Sequence, residues 1–374
     1  MRTLKKSLAL VLALVMVLGL GVVGASADNA LDNYTDADSI GDAYVEAVGV
    51  LTGLGIVDGV TDTTIVPDAT YTRAQAAKII ATMLLGVDNA DSLTCTVAPF
   101  DDVAANHWAA GYISFCVEKG IIDGMTDTTF DPEGTLTGFQ WAKMLLSAVG
   151  FNANDEFTGD SWSLNTASVA HSVGLFTGDL KGADHVALRR EQAMLYAFNT
   201  LTNVGCVVWS EALGDYIYAY KEFADRYTGE GTLGETVFNL YSVEGIVTRN
   251  EGMGADYTYV SSDYNGNKVL AKVSADTDAF MLYHGARIWY VANGKDTSKG
   301  TSVYVNDLAK VTTLECPSDS ARSELVKGID KDDITAEEIG NGTNYYEYAL
   351  IDNSNVDLPA LTDDYATVNY KFEL

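Results

Sequence analysis

The chain has few basic residues. Its 374 residues include 23 Lys and Arg against 52 Asp and Glu, which gives a formal net charge of −29 at pH 7. A surface with this excess of carboxylates repels nucleic-acid phosphates and anionic lipid headgroups. The composition therefore argues against nucleic acid and against anionic membrane surfaces as partners.

Long hydrophobic runs are also scarce. The sequence contains one, and it lies at the N-terminus. A basic segment precedes an apolar stretch over residues 8–23, and Ala25-Ser26-Ala27 follows as a small-residue cleavage site. This pattern predicts a secretory signal peptide over residues 1–27 and a mature chain that begins at Asp28. An uncleaved membrane anchor is the alternative, which the small-residue box and the acidic residues after it disfavour. No membrane contact is expected after cleavage.

Cysteine is rare, and catalytic signatures are missing. The four cysteines have no CxxC pair and no metal-type spacing; they are Cys95, Cys116, Cys206 and Cys316. A disulfide between Cys95 and Cys116 is one interpretation, and isolated buried thiols are the other. The histidines form no HExxH motif, and no GxSxG motif, phosphate-binding loop or dinucleotide fingerprint is present. We therefore expect a protein that is not an enzyme and that has no cofactor.

One segment occurs twice. Residues 58–78 read DGVTDTTIVPDATYTRAQAAK, and residues 123–143 read DGMTDTTFDPEGTLTGFQWAK, in register and without a gap. Internal repetition indicates supersecondary units that stack on one another. Helix-period apolar residues on both sides of the polar loop predict a helix-loop-helix unit in each copy. The acidic loops resemble calcium loops only poorly because the spacing of an EF-hand is absent, so no metal site is expected.

A third, eroded copy follows the first two. It keeps a glycine bracket over residues 174–178, and Trp162 stands 16 residues before Gly178 as Trp108 stands 16 before Gly124. We therefore divide the N-terminal part into three modules, residues 28–92, 93–152 and 153–205.

The remainder of the chain has a different pattern. Residues 206–236 are predicted to be a helical connector that ends in a glycine-rich joint over residues 229–234. From residue 237 to residue 374 short runs alternate apolar with polar residues, which predicts antiparallel strands in a small barrel or sandwich. Within this part a short helix is expected between residues 319 and 340, and the last strands are expected over residues 345–351 and 366–372. The predicted fold class is α+β with several domains.

The start of the second helix in each repeat carries the candidate chemistry. Thr72 with Gln75, and Thr137 with Gln140, have the spacing of a capping box. A helix N-terminus presents free N–H groups and a positive dipole end, and an arginine there adds a donor fork suited to carboxylate. Arg73 and Arg189 are therefore candidate anion anchors, although a solvated arginine is the simpler alternative.

The order of these motifs resembles the S-layer homology domain. In chain order the motifs are an aromatic-x-Asp opening, then HWA, GIIDG, TDTTFDP and TRAQ. The resemblance is strong in the first two copies and weaker in the third. It implies three modules in a pseudo-threefold spindle, with one helix from each in a central bundle. It also implies grooves that bind secondary cell-wall polysaccharide, commonly through a pyruvylated sugar, on a Gram-positive-type bacterium. Self-association or contact with other S-layer subunits is a further expectation.

The family's binding residues are transferred copy by copy. The arginine of the family's TRAE-type motif maps to Arg73 and Arg189, with Gly138 at this place in the second copy. The remaining positions implied by the resemblance are Trp108, Trp162, Gln75, Gln140, Glu191, Gly59 and Gly124. Each tryptophan has the alternative interpretation of a core residue, and each glycine that of a helix cap. Fewer than three competent grooves are expected.

The leading hypothesis is a non-catalytic surface protein that the modules attach to the wall and that displays a β-rich domain. The alternative is an anchored enzyme or carbohydrate-binding protein whose activity lies in residues 237–374.

Overall fold

The computed structural model describes residues 30–151, 155–179, 186–210, 215–219, 232–263, 266–277, 281–308, 311–316, 337–339, 343–345 and 368–373. The chain divides into two compact units, Met1–Tyr241 and Ser242–Leu374. The predicted signal peptide lies outside the described residues. No helix within the described ranges is long and apolar enough to cross a bilayer.

The described part of the first unit is mainly helical. Its α-helices are α1 (Val45–Gly53), α2 (Arg73–Leu85), α3 (Val87–Asp91), α4 (Ala110–Glu118), α5 (Gly138–Ala148), α6 (Trp162–Ser172), α7 (Arg190–Thr202) and α8 (Leu233–Phe238). Short 3₁₀ turns at Ala30–Asn33 and Ala37–Ser39 precede α1. Three helix pairs, α1/α2, α4/α5 and α6/α7, correspond to the three predicted helix-loop-helix units.

The helix pairs pack on one another in cyclic order. The first helix of each pair contacts the second helix of another pair: α4 lies on α2, α6 on α5, and α1 on α7. The second helices also meet, since α5 contacts both α2 and α7. Trp141 of α5 is 1% exposed, and its indole N–H donates to the carbonyl of Ala193 in α7 at 2.9 Å. Each pair therefore completes its hydrophobic burial only against its neighbours.

Backbone pairing follows the same cyclic order. Isolated antiparallel bridges join Thr72 to Thr135, Thr137 to Ala187, and Arg189 to Thr70. Each bridge connects the start of one second helix to the loop before the second helix of another pair. The three bridges therefore link the three loops and the three helix starts in a closed cycle.

The segment after the third helix pair differs from its prediction. Where a helical connector is expected, Cys206–Ser210 (β1) and Asp215–Ala219 (β2) form an antiparallel hairpin. Alternating β-branched and aromatic residues in both segments favour strands, and they outweigh the apparent helical pattern. Residues 229–231 of the predicted glycine-rich joint lie outside the described residues, and the two units divide after Tyr241. Gly234 lies inside α8, where an added Cβ would be 3.0 Å from the carbonyl oxygen of Leu201.

The second unit contains a closed five-stranded barrel, which resolves the choice between barrel and sandwich. Its strands are β3 (Leu240–Arg249), β4 (Thr258–Ser261), β5 (Val269–Ser274), β6 (Gly285–Asn293) and β7 (Asp296–Asp307), arranged as β3-β4-β5-β7-β6. The β5–β7 pair is parallel, and the other pairs with a given register are antiparallel. Residues alternate between the core and the outer face, as in β6, where Ala286, Ile288 and Tyr290 are buried.

Four further strands lie after the barrel. They are β8 (Val311–Cys316), which pairs with β11 (Val368–Glu373), and β9 (Glu337–Ile339), which pairs with β10 (Thr343–Tyr345). The expected strand over residues 366–372 is thus present as β11. Residues 337–339, at the end of the segment expected to contain a helix, form a strand, and residues 319–336 and 346–351 lie outside the described residues.

Candidate functional site

The N–H groups at the start of α2 are already used within the protein. Thr72 and Gln75 form a capping box, as do Thr137 and Gln140 at α5. The N–H of Arg73 donates to the carbonyl of Gly134, and the N–H of Ala74 donates to that of Pro132, both at 2.9 Å. The prediction that free N–H groups at this helix start attract an anion is therefore wrong.

The side chain of Arg73 is buried rather than exposed. Its Nε donates to the carbonyl oxygen of Phe130 and its Nη2 to that of Asp123, each at 2.8 Å. The guanidinium carbon lies 4.4 Å from the centre of the Phe130 ring. Burial lowers the pKa of the Arg73 guanidinium, and the carboxylates of Asp131, Asp123 and Asp102 oppose this shift. Arg73 thus connects α2 to the loop of the second helix pair.

Arg190 repeats this geometry in the third helix pair. Its Nε donates to the carbonyl of Ile65 at 2.9 Å, its Nη2 donates to that of Asp58 at 3.1 Å, and its guanidinium lies 4.5 Å from the Tyr71 ring. Arg190, not Arg189, is therefore the counterpart of Arg73, and Gln192, not Glu191, is the counterpart of Gln75. The sequence alignment is displaced by one residue because Arg189 occupies the cap position that threonine holds in the first two copies.

Arg189 and Glu191 form a separate network that joins the third helix pair to the first. Arg189 Nη1 lies 2.6 Å from Glu191 Oε1 and 3.0 Å from Asp68 Oδ1. The other oxygen of Glu191, which is buried, accepts the N–H of Gly41 at 2.9 Å. The hydrogen bond to Asp68 raises the pKa of Arg189, and partial burial opposes it. These contacts fasten α7 to the segment before α1.

The aromatic-x-Asp openings hold the repeated loops in place. Asp102 accepts the N–H groups of Phe130 and Asp131 at 2.8 and 2.7 Å, and Asp36 accepts those of Ile65 and Val66 in the same way. Partial burial acts to raise the pKa of Asp102, but these backbone hydrogen bonds lower it below its ordinary value. The aspartate of each motif thus fixes the loop whose backbone carbonyls accept hydrogen bonds from Arg73 or Arg190.

Gly59 and Gly124 are required by close packing inside the same loops. A Cβ at Gly124 would lie 2.4 Å from the carbonyl oxygen of Thr126 and 2.6 Å from the Phe100 ring, and Gly59 is equally crowded. Neither glycine ends a helix, because that position belongs to Gly55 and Gly120, each with φ of +69°. The helix-cap interpretation of Gly59 and Gly124 is therefore wrong.

A groove of about 370 Å³ lies between the second and third helix pairs. The residues that line it include Arg73, Asp123, Gly124, Gln140, Lys143 and Trp162. The structure thus brings together Arg73, Gly124, Gln140 and Trp162, four of the residues predicted from the sequence. Lys143 was missed as a site residue. The sequence did contain an indication of this role, because Lys78 and Lys143 stand at the same position of the first and second copies of the repeat.

Lys143 and Trp162 form the open side of this groove. The Nζ of Lys143 lies 6.0 Å from the centre of the Trp162 ring, and Trp162 is partly exposed. An ammonium beside an aromatic face suits a ligand that carries an anionic group on a sugar ring, because one contact is electrostatic and the other is apolar. Neither residue has the buried hydrogen bonds that hold Arg73.

The three helix pairs together supply an equivalent set, with Asp58 and Lys78 in the first, Trp108 in the second and Arg190 in the third. Lys78 Nζ lies 2.8 Å from Asp58 Oδ2, and Asp58 also accepts from Arg190 through its carbonyl. Trp108, at the position equivalent to Trp162, is 53% exposed and precedes α4, which packs on α2. The core interpretation of Trp108 is therefore wrong.

The last set of equivalent positions has lost this chemistry. The places of Arg73, Asp123, Lys143 and Trp162 are taken by Gly138, Thr177, Leu195 and Ala43. A carboxylate elsewhere in this region is occupied, because Asp179 accepts from Tyr196 at 2.6 Å and also from Gln192.

The cysteines and the acidic loops carry no further site in the described residues. Cys95 and Cys116 are both free, and Cys116 Sγ contacts the carbonyl of Ala77 at 3.6 Å, so the predicted disulfide between them is wrong. Within the ranges that the structure describes, no group of three or more His, Cys, Asp or Glu is placed to hold a metal ion.

Comparison with known proteins identifies the repeated segments. The family model for the S-layer homology domain matches residues 33–77 and 99–142. The chain is 29% identical over 317 residues to a cell surface protein of Thermoanaerobacter kivui, an alignment that covers 82% of this chain and 39% of that protein. It is 26% identical over 137 residues to a surface layer protein of Brevibacillus choshinensis (37% of this chain, 12% of that protein).

Enzymes are among the relatives as well. The chain is 26% identical over 184 residues to exoglucanase XynX of Acetivibrio thermocellus, which covers 44% of this chain and 16% of that protein. The chain therefore spans less than half the length of each of these three relatives. S-layer homology domains attach surface proteins to the cell wall without a covalent bond. Two segments of the chain match the model of this family, and the protein is a secreted protein of the bacterial cell-wall surface.

Proposed function

We propose that this protein is held on the wall by an anionic secondary polysaccharide. The polymer is bound in two grooves, each of which has the same four residue types at equivalent positions. The observation that carries the proposal is the recurrence of Arg, Asp, Lys and Trp at equivalent positions, as Arg73/Asp123/Lys143/Trp162 and as Arg190/Asp58/Lys78/Trp108. In each set the arginine is buried and shapes the wall of the groove. The lysine and the tryptophan are the groups that meet the ligand.

A pyruvylated sugar fits this arrangement. Its carboxylate would meet the ammonium of Lys143 or Lys78, while an apolar face of the ring would lie against Trp162 or Trp108. Charge alone does not attract such a polymer, because the protein carries a net charge of −29. Recognition therefore depends on local contacts with these two lysines, and Lys78 exchanges its 2.8 Å contact with Asp58 for the ligand.

We further propose that three modules form a pseudo-threefold spindle, with the third copy as a degenerate member. The cyclic helix packing and the three cyclic backbone bridges support this arrangement. So does the pair Arg73 and Arg190, whose hydrogen bonds correspond one to one. In this arrangement the groove that contains Gly138 does not bind the polymer.

The remaining part of the chain is proposed to be displayed rather than catalytic. The alignment with the cell surface protein covers 82% of the chain and so extends into the second unit, whereas the alignment with the exoglucanase covers 44%. This difference in coverage favours a surface protein over an anchored enzyme.

The test is binding of the mature chain to purified wall polysaccharide, measured for Lys78→Ala, Lys143→Ala and the double variant. Hydrogen bonds to charged groups contribute about 1.5 to 3 kcal/mol each, so one loss weakens a groove about ten- to a hundredfold. The double variant should lose more than either single variant because two linked grooves reinforce each other. Lys119→Ala, which removes a lysine that lies 5.9 Å from the Phe115 ring, is the matched control.

Chemical removal of the acidic substituents from the polymer provides a second arm. The parent protein should then bind no better than the double variant binds the untreated polymer. Unchanged binding by the double variant, with a melting temperature like that of the parent, would disprove the two-groove proposal.

A further inference from the structure

The chain contains three glutamines, and all of them stand at one equivalent position of the three helix pairs. Gln75, Gln140 and Gln192 are the third residues of α2, α5 and α7. Helix capping does not require glutamine there, because Glu235 closes the same kind of capping box with Thr232 at the start of α8. Gln192 takes part in no capping box at all. The feature that the three positions share is therefore the side-chain amide.

In the first two helix pairs one end of this amide is used and the other is open. The Oε1 of Gln75 accepts the N–H of Thr72 at 3.0 Å, and the Oε1 of Gln140 accepts that of Thr137 at 2.9 Å. Within the part of the chain that the structure describes, neither Nε2 group has a hydrogen-bond partner. Gln140 lines the groove of about 370 Å³ together with Lys143, which lies three residues further along the same helix face. Each groove is thus offered two N–H donors of an amide beside an ammonium.

The amide of the third helix pair already holds a carboxylate. Nε2 of Gln192 donates to Oδ2 of Asp179, and the hydroxyl of Tyr196 donates to the same oxygen at 2.6 Å. Burial and this hydrogen bond raise the pKa of Tyr196, so its hydroxyl stays protonated and remains a donor. Tyr196 takes the place of Met144, which lines the groove beside Gln140. The Asp179 carboxylate therefore lies at the place in the third groove that is lined by Gln140 and Met144 in the other.

We propose that the amides of Gln75 and Gln140 donate to the acidic group of the wall polymer, and that Asp179 occupies this place in the third groove. The inference rests on the function proposed above and adds the group that receives the acid together with the lysine. Because the polymer's acid and the Asp179 side chain are both carboxylates, the third groove contains within the protein the contact that the other two make with the ligand. Selection for an acidic sugar over a neutral one then depends on the amide as well as on the ammonium.

The third groove is accordingly closed by a carboxylate of the protein itself. Leu195 stands where Lys143 stands in the second helix pair, so the hydroxyl of Tyr196 supplies the second donor instead of an ammonium. Asp179 belongs to the same chain as its donors, and its effective concentration at this place is much higher than that of a free polymer. The polymer does not displace it, and binding is confined to two grooves.

Replacing the amide by a carboxylate of the same size tests the proposal. The double variant Gln75→Glu, Gln140→Glu should melt close to the parent, since Glu235 shows that glutamate supports the capping box. Its affinity for purified anionic wall polysaccharide should fall at least tenfold, because a donor to a charged group is lost and a like charge is added. The control is Asn267→Asp, Asn293→Asp, which adds the same charge at exposed positions of the second unit and should bind like the parent. On polymer freed of its acidic substituents, the parent and the glutamate variant should bind equally weakly.

A second measurement follows each groove separately. Protein labelled with ¹⁵N in its glutamine side chains gives three amide signals, which single replacements assign. Acidic fragments released from the polymer by partial hydrolysis should shift the signals of Gln75 and Gln140 and leave that of Gln192 unchanged. In Asp179→Ala the signal of Gln192 should respond to these fragments as well.

Several results would overturn the inference. They are binding by the glutamate variant equal to that of the control, an equal loss of affinity for acid-free polymer, a response of Gln192 in the parent, or none in Asp179→Ala. If Lys78→Ala, Lys143→Ala loses binding while the glutamate variant keeps it, the proposed function stands and this inference alone fails. If both variants keep full binding, both fail.

Discussion

Replacing Arg73 by alanine should destabilise the first unit strongly, although the residue lies at a helix start and beside a groove. The side chain is 7% exposed and donates two hydrogen bonds of 2.8 Å to carbonyl oxygens. Two such bonds from a charged donor contribute up to about 6 kcal/mol. The cost of burying the guanidinium, together with about 2 kcal/mol of side-chain entropy, reduces this sum. We expect a net loss of about 3 kcal/mol for Arg73→Ala.

Circular dichroism at the helix band measures this loss, because the described α-helices lie in residues 30–241. For a unit of this size about 3 kcal/mol corresponds to a fall of about 6 to 12 °C in melting temperature. Arg73→Lys should recover little, since one ammonium cannot reach both carbonyls with the geometry of the fork. Lys119→Ala serves as the control and should melt close to the parent. If Arg73→Ala also melts with the parent, the buried guanidinium does not hold the helix pairs together.

Three smaller predictions follow from other contacts. Gly124→Ala should lower the free energy of unfolding in urea by about 1 to 3 kcal/mol through overpacking, because the added Cβ would lie 2.4 Å from the carbonyl oxygen of Thr126. Asp102→Asn should destabilise the protein most near neutral pH. The pKa of Asp102 is lower in the folded protein than in the unfolded chain, where it is about 3.9, so its ionised carboxylate stabilises the fold at pH above that value. This stabilisation is lost as the pH falls through the folded-state pKa, and the unfolding curves of parent and variant should therefore converge in acid. Burial raises the pKa of the Cys116 thiol, so alkylation of the native protein followed by mass spectrometry should label Cys95 well before Cys116; equal rates would contradict the buried position.

The repeat predicted much of the first unit because recurrence in one register, without a gap, fixes equivalent positions. Helix starts at Thr72 and Thr137 could be located from capping chemistry, since the threonine and the glutamine act within one turn of the chain. The third helix start could not, because Arg189 replaces the threonine and removes the only local marker. Contacts with distant carbonyls, such as that of Arg190 with Ile65, then decide the register, and no local pattern encodes them.

The roles of single residues were harder to predict than their places. An arginine at a helix start is compatible with either a bound anion or a buried hydrogen-bond donor, and the choice depends on which loop covers it. Gly124 is similarly ambiguous, because its crowding comes partly from the nearby carbonyl of Thr126 and partly from Phe100, more than 20 residues earlier in the chain. In the second unit, period-two alternation located the strands, but closure of the barrel depends on pairing between strands that are distant in sequence.

The cyclic pairing of the helix starts has a consequence for how the repeats can diverge. Thr70, Thr72, Thr135, Thr137, Ala187 and Arg189 join every helix pair to the other two. A copy that stopped binding ligand would still be needed to complete the backbone hydrogen bonds of its neighbours. Selection can then relax on the groove positions of that copy while its helices and its arginine clamp are kept. The third helix pair, with Arg190 retained but Thr177 and Leu195 in place of Asp and Lys, has the composition that such divergence leaves behind.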